Sequence, residues 1–356
     1  MKNIKLNNKT IGENGPLYFI ADIGANHDGD LNRAFKLIEL AKEAGADAAK
    51  FQNFQANKIV SDVGFTGLGG QLSHQAKWKK PVFEVYKDAS IPFDWTEKLK
   101  QKCDEVGIEY FTSPYDFESV DLVDPYVHLY KIGSGDITWI EIIEYIARKK
   151  KPVLVATGAS DMEDVERAMT ALQAITDDIV LMQCNTNYTG SPENFKYANL
   201  NVLTTFKNKY PGVLLGLSDH TSGHSTVLGA VALGARVFEK HFTDDNGREG
   251  PDHKFAMNPQ TWRDMVDRAN ELYSALGDGV KRIEDNEKQS VIVQRRCIRA
   301  THALDQGHVI TADDLEVLRP IPADGLPPYL VSSLIGKKTE SKIAAGEHLT
   351  TQNVGS

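Results

Sequence analysis

Apolar positions along the chain fall into two alternating rhythms. Short runs rich in β-branched and aromatic residues recur eight times: YFIADI from 18, AAKFQ from 48, IEYFTS from 108, VHLYKIG from 127, PVLVATG from 152, IVLMQC from 179, VLLGLSD from 213 and ARVFEKHF from 235. Stretches with helical spacing separate them. Asp30 is placed to cap a helix burying Leu31, Ala34, Phe35, Ile38 and Ala41, with Gly45 past its end; Asp161 caps the helix after the fifth run, and Asn258 with Pro259 opens the last. This alternation predicts a parallel α/β fold, and eight units over about 260 residues predict a TIM (β/α)8 barrel. A doubly wound open sheet is the alternative, but no G-x-G-x-x-G follows the first run. Residues 3–13, NIKLNNKTIGE, read as a hairpin turning at Asn7 and Asn8.

Two segments break the rhythm. Residues 53–92 are too long for a bare connection and carry GFTGLGGQ and Trp78, which predicts a lid or binding element, with a disordered insertion as the alternative. Near 280 the texture changes: KRIEDNEKQ leads into a tail punctuated by Pro320, Pro322, Gly325, Pro327 and Pro328. The tail holds a near-repeat, DQGHVIT at 305–311 and AAGEHLT at 344–350, which predicts two similar β-arms paired about a pseudo-twofold. The expected organisation is a barrel over 1–280, a linker over 281–295 and a small β-rich domain over 296–356.

Composition narrows the partners. Of 356 residues, 41% are hydrophobic, enough for real cores, and a formal charge of −9 argues against nucleic acid or an anionic membrane as a partner. An anionic ligand therefore needs a local basic pocket. No signal-type or membrane-spanning apolar run is present, which gives a cytoplasmic expectation. Cys103, Cys184 and Cys297 are odd in number and widely spaced, as reduced thiols would be.

In a barrel, catalytic groups gather at the C-terminal strand ends, and alternation decides which side chains share the mouth. Lys50 and Gln52 have one parity on strand two, as do Ser218 and His220 on strand seven and Glu239 and His241 on strand eight. Asp22 and Lys131 end strands one and four. Two imidazoles on adjacent strand ends reach one divalent cation at about 2.0–2.2 Å and leave positions open for water or substrate. The alternatives are a pair of hydrogen-bonded core histidines, or His224 as the partner of His220. His27, His74, His253, His302 and His308 read as surface or loop residues. Lys50, Lys131 and Lys240 with Thr112, Ser134 and Ser218 suggest a pocket for phosphate and carboxylate, unless each lysine pairs with a resident carboxylate such as Glu239. A lysine Schiff base is a further possibility. Asp22, Asp136 and Asp252 are the available mouth carboxylates, with helix capping the competing role for Asp136.

In this order and spacing, FIADIGANHDGD, KFQ, FTSPYD, KIGSGD, VATG, GLSDHT, FEKHF and GPDHKFAM resemble the bacterial sialic acid (nonulosonic acid) synthase family. QRRCIRA, LRPIPADGLPP, IGKK and AAGEHLT are similar to the antifreeze-like, or SAF, domain that follows the barrel there. The resemblance implies condensation of phosphoenolpyruvate with an N-acetylated six-carbon aldose to give a nine-carbon sugar acid. It implies that His220 and His241 bind a divalent metal, Mn2+ first and Mg2+ or Co2+ as alternatives. It places phosphoenolpyruvate on Lys50, Thr112, Lys131, Ser134, Ser218 and Lys240, and the sugar near Gln52 and Tyr188. Asp22, Asp252 and Asp136 are the catalytic carboxylates it implies. It also implies a domain-swapped homodimer in which Arg319 touches the sugar in the partner's barrel.

Four places depart from the family pattern. Asp22 and Asp136 stand where the family carries glutamate, Cys297 replaces a common serine, and CNTNYTGSPEN leaves open which of Asn185, Thr186 and Asn187 faces ligand. Together they suggest a modified or diacetamido sugar rather than plain N-acetylmannosamine. A pyruvate-dependent aldolase and a non-catalytic sugar-acid-binding protein are the alternative functions.

Overall fold

The computed structural model describes residues 3–6 and 9–355. The eight apolar runs form eight parallel strands: β1 Tyr18–Asp22, β2 Ala48–Asn53, β3 Glu109–Pro114, β4 Tyr130–Ile132, β5 Val153–Ala156, β6 Ile179–Cys184, β7 Leu214–Asp219 and β8 Val237–His241. They run in the order β3-β2-β1-β8-β7-β6-β5-β4. Since β1 pairs with β8, the first and last units meet and the sheet curls into a barrel, with β3 and β4 side by side at the seam. Nearly every strand residue is buried, as expected when helices cover one face and the barrel interior fills the other.

The predicted caps form. Asp30 accepts from the backbone N–H groups of Asn32 and Arg33 at the start of helix α1, Leu31–Glu43. The buried stripe of α1 is Ala34, Leu37, Ile38 and Ala41, an i, i+3, i+4, i+7 set; Leu31 and Phe35 flank it and are only half-buried. Asp161 and Asn258 each make a reciprocal capping box, the latter with Pro259 in the first turn.

The N-terminal segment pairs Ile4–Leu6 with Lys9–Ile11 in antiparallel register, and Ile4, Leu6 and Ile11 are buried. The expected turn at Asn7 and Asn8 lies outside the described residues. The long connection after β2 is folded rather than disordered, with short helices at Ala56–Ile59, Asp62–Gly67 and Val82–Ala89.

The chain divides into two compact units, Met1–Gly277 and Asp278–Ser356. In the second, the stretch expected as a linker carries a helix at Lys288–Gln294. Beyond it, β9 (Cys297–Ala300) pairs antiparallel with β10 (Leu315–Leu318) over a core that includes Ile298, Leu304, Ile310, Ile343 and Leu349. The near-repeat appears as matched hydrogen bonds. Leu304 and Ile343 exchange reciprocal N–H to carbonyl bonds of 2.8 and 2.9 Å; Gly307 donates to Thr339, and Gly346 donates to Ala300 in the corresponding place. Gly307 and Gly346 both have positive φ, 84° and 77°, which fits them to these equivalent turns.

Candidate active site

Register explains which side chains meet at the barrel mouth. Cα partners point to the same side of a sheet, and Asp22 is opposite Lys50 and His241, Gln52 is opposite Ser113, and Glu239 is opposite Ser218. These seven residues line one cavity of about 380 Å³, within the usual range for a small-molecule pocket. Lys131, Ser134, Asp136, Tyr188, His220 and Asp252 line it as well.

At its base lies a buried charge network. Lys131 donates to Glu239 Oε1 at 2.6 Å and Lys50 to Asp22 Oδ2 at 2.7 Å; Lys50 is also 3.7 Å from Glu239. Ser218 donates to Glu239 at 3.2 Å and Gln52 to Asp22 at 3.1 Å. Burial pushes the Asp22 carboxyl up, but Lys50, His241 and Lys131 more than reverse it; Glu239 is likewise held below the ordinary range by Lys131 and Lys50. Burial alone would lower the Lys50 pKa, and Asp22 with Glu239 raises it instead. Lys50 is therefore ionised, and both lysines are paired with carboxylates. Glu239 Oε2 has no hydrogen-bond partner among the described residues.

Above this base the two histidines face each other, ring centroids 5.4 Å apart and planes tilted by 41°. The Nδ1–H of His220 donates to the Asn185 carbonyl at 2.8 Å; a carbonyl only accepts, which leaves Nε2 unprotonated in the neutral ring. Burial, with the nearby His241, lowers the His220 pKa to about 3. His241 Nε2 is 3.6 Å from Asp22, and Nδ1 is 3.6 Å from Asp252 and has no hydrogen-bond partner among the described residues. Two facing imidazoles, a His241 ring nitrogen left without a hydrogen bond among the described residues, and adjacent carboxylates fit a divalent ion. Among the described residues no three His, Cys, Asp or Glu side chains form a ready-made cage, so such an ion would complete its shell with water or substrate oxygens, as open catalytic sites do.

The mouth is walled by aromatic rings. Tyr188 packs on His220 at 4.2 Å and on His74 at 4.8 Å, and His74 in turn packs on Trp78 at 5.4 Å. His74 and Trp78 belong to the insertion after β2, which thus forms part of the cavity wall. Asp252 Oδ2 accepts from Ala25 N–H at 3.0 Å. Gly24, with φ +51°, lets the chain pass beneath it: a Cβ there would lie 2.8 Å from Asp252 Oδ2 and 3.1 Å from His241 Nδ1.

Asp136 sits in a 3-10 turn, Ser134–Asp136, and its side chain caps no helix; the next helix begins at Ile140 with Trp139 at its N-cap. Burial raises its carboxyl to about 6. Ser134 Oγ accepts from Gly158 N–H at 3.0 Å.

Two expected site residues face away from the cavity. Thr112 alternates with Ser113, so it faces out of the barrel and donates to Asn53 Oδ1 at 2.7 Å; Ser113 takes the inward place. Lys240 alternates with Glu239 and His241 and also faces outward, where it pairs with Asp219, not Glu239. Arg319 is an exposed residue of the second unit, just after β10. Asn187 accepts from Thr189 and Asn194 within its own loop, and of the three uncertain loop residues Asn185 bears on the site, through its carbonyl. His224 pairs with Asp264 at 3.0 Å. His27 and His253 are fully buried, contrary to the surface expectation; His253 bonds Thr243 and Asp28. Ser113, Cys184 and His74 also line the cavity and were not among the expected site residues, and Glu239, expected at the mouth by parity, is the hub of its charge network. Ser113 was available from parity once register is known.

A barrel with a cavity of this composition at its C-terminal rim defines the class: a barrel enzyme. The NeuB family profile matches residues 37–281 and the SAF domain profile residues 295–354. The chain is 32% identical to the N,N'-diacetyllegionaminic acid synthase of Legionella pneumophila over 359 residues, covering 99% of each chain. It is 32% identical to the pseudaminic acid synthase of Campylobacter jejuni, covering 94% of this chain and 95% of that one. The crystal structure of the N-acetylneuraminic acid synthetase of Leptospira borgpetersenii superposes with a TM-score of 0.71 at 28% identity, covering 82% of this chain and 95% of that one. The chain belongs to the NeuB family, with a C-terminal SAF domain.

Proposed function

We propose that this protein is a nonulosonic acid synthase that joins phosphoenolpyruvate to an N-acetylated six-carbon aldose, N-acetylmannosamine or a 2,4-diacetamido-trideoxyhexose. The products are a nine-carbon sialic-acid-type sugar and phosphate. The observation that carries this reading is the meeting of two kinds of group in one cavity: the His220–His241 pair and the cation and hydroxyl floor of Lys50, Lys131, Ser113, Ser134 and Ser218. The synthase names of the relatives support it.

A divalent ion, Mn2+ before Mg2+ or Co2+, would be held by His220 and His241 and would polarise the aldehyde oxygen when bound. The floor holds the phosphate and carboxylate of phosphoenolpyruvate, with Lys50 and Lys131 sharing their charge between ligand and the resident Asp22 and Glu239. Carbon 3 of the enol bonds to the aldehyde carbon. Water bonds to carbon 2, the C–O bond to phosphate breaks, and the two protons of the water end on the new hydroxyl and on phosphate. Asp252, beside His241, orients the water, and Asp136, with its raised pKa, exchanges a proton near neutral pH. Asp22 is held ionised by Lys50, so its part is to fix Lys50 and Gln52 rather than to donate a proton. Gln52 and Tyr188 face the sugar. The same pairing disfavours a pyruvate aldolase, because a Schiff-base lysine must lose its proton and Lys50 holds its proton more firmly than usual.

The protein is proposed to act in the cytoplasm, supported by three free buried cysteines and by the lack, among the described residues, of a helix long and apolar enough to cross a membrane. A domain-swapped homodimer, with Arg319 reaching the partner's sugar, is proposed from the family resemblance. The test is phosphate release from phosphoenolpyruvate across a panel of N-acetylated aldoses, with mass spectrometry of the product. Release that needs no aldose, or no nine-carbon product, sinks the reading.

A further inference from the structure

We propose that Lys240 is a positioning residue whose ammonium, bonded to Asp219 and to the Thr221 carbonyl, clamps the strand ends that carry His220 and His241 and so sets the geometry and metal affinity of the pair. The metal part of this inference rests on the proposed function.

Lys240 is 2% exposed and is the Cα partner of Asp219 in the β8–β7 ladder. Each residue directly precedes one of the two histidines. Alternation turns the lysine and the aspartate outward where the histidines turn inward, so the ion pair lies behind the imidazole pair. The Lys240 Nζ pairs with Asp219 Oδ2 and donates to the Thr221 carbonyl at 2.6 Å. Asp219 and Thr221 flank His220, so one ammonium holds a side chain before the first histidine and the backbone carbonyl after it, while its own backbone leads into the second.

The acceptor is itself fixed. Asp219 Oδ1 accepts from Thr221 N–H at 3.2 Å, and Oδ2 accepts from the Thr221 and Thr226 hydroxyls at 2.8 and 2.7 Å. A buried ion pair is a poor source of stability compared with apolar packing. What this one supplies is direction: β7 ends at Asp219, His220 and Thr221 lie beyond the ladder, and the ammonium bonds continue the tie between the two strands past the last ladder pair. Metal ligation tolerates errors of only about 0.5 Å in donor placement. The His220 ring then has two restraints, the clamp on its backbone and the Asn185 carbonyl on its Nδ1–H.

The test compares Lys240→Met, the neutral double variant Asp219→Asn/Lys240→Met, and Ile146→Ala, a buried helix substitution remote from the ion pair in sequence that serves as a control for lost stability. Two properties are read: Mn2+ dissociation constants by electron paramagnetic resonance, and the His220 Nδ1–H proton resonance in metal-free protein. The clamp variants should bind Mn2+ at least about tenfold more weakly and shift or lose the imidazole resonance, while Ile146→Ala does neither. A folded double variant with both properties unchanged overturns the proposal. If Lys240→Met fails to fold, Thr226→Val, which removes one donor from Asp219 and leaves the ion pair, should weaken Mn2+ by about two- to fivefold and shift the resonance; no change overturns it. If the unsubstituted protein binds no Mn2+, the metal reading falls, and the resonance alone decides whether the clamp exists.

Discussion

His220 and His241 stand with ring centroids 5.4 Å apart at the ends of adjacent barrel strands, and the Asn185 carbonyl fixes the tautomer of the first. Both rings line the cavity that Lys50 and Lys131 floor. Replacing either with glutamine should abolish Mn2+ binding and lower phosphate release by at least about a hundredfold while the melting temperature stays within a few degrees. Calorimetric metal titration beside the melting curve checks this.

Glu239 is the hub of the buried charges, touching Lys131, Lys50 and Ser218. Glu239→Gln leaves two buried ammonium groups with one carboxylate. Urea unfolding should show a loss of roughly 3–5 kcal/mol, the usual cost of breaking a buried ion pair. An apolar-like cost under about 1 kcal/mol would contradict the charge assignment.

Asp136 titrates at about 6 because burial disfavours its ionised form. The folded value lies above the unfolded one of about 3.9, so the native state binds the proton more tightly and stability falls as pH rises from about 4 to 6. Asp136→Asn removes that dependence. The variant should be more stable than the parent by about 2 kcal/mol at most above pH 6, after discounting for partial exposure, and the gap should close below pH 4. Melting curves across this range provide the check.

Gly24→Ala puts a Cβ 2.8 Å from Asp252 Oδ2 at a φ of +51°. Strain there should cost about 1–2 kcal/mol. Displacement of Asp252 and His241 should lower kcat more than stability alone explains, measured as turnover at a temperature where the variant remains folded.

How far the chemistry was readable follows the geometry of alternation. Within one strand, period two pairs Lys50 with Gln52, Ser218 with His220 and Glu239 with His241, and all six line the mouth. The same rule turns Lys240 outward, away from the phosphate pocket that its charge alone suggests. Alternation does not set the phase between strands: Thr112 and Ser113 are equally polar, and only the Gln52–Ser113 register shows that the serine faces in. Tyr188, Asp252 and His74 lie on irregular or short helical connections, where no period links position to direction. The helices of the insertion were hidden by glycines and by their short length.

The inward place of Ser113 is testable. Ser113→Ala should raise the KM for phosphoenolpyruvate several-fold, whereas Thr112→Val should leave it unchanged and cost about 1–3 kcal/mol of stability by stranding the Asn53 side-chain oxygen. Equal effects on KM would place both hydroxyls in the site.

The most direct measurement is phosphate release from phosphoenolpyruvate and an N-acetylated aldose by metal-stripped protein, before and after Mn2+ is restored, with His220→Gln and His241→Gln alongside. Activity that vanishes on stripping, returns with Mn2+ in the parent protein and fails to return in either variant is the predicted result. Full activity in the stripped protein, or in a variant lacking one imidazole, would contradict it.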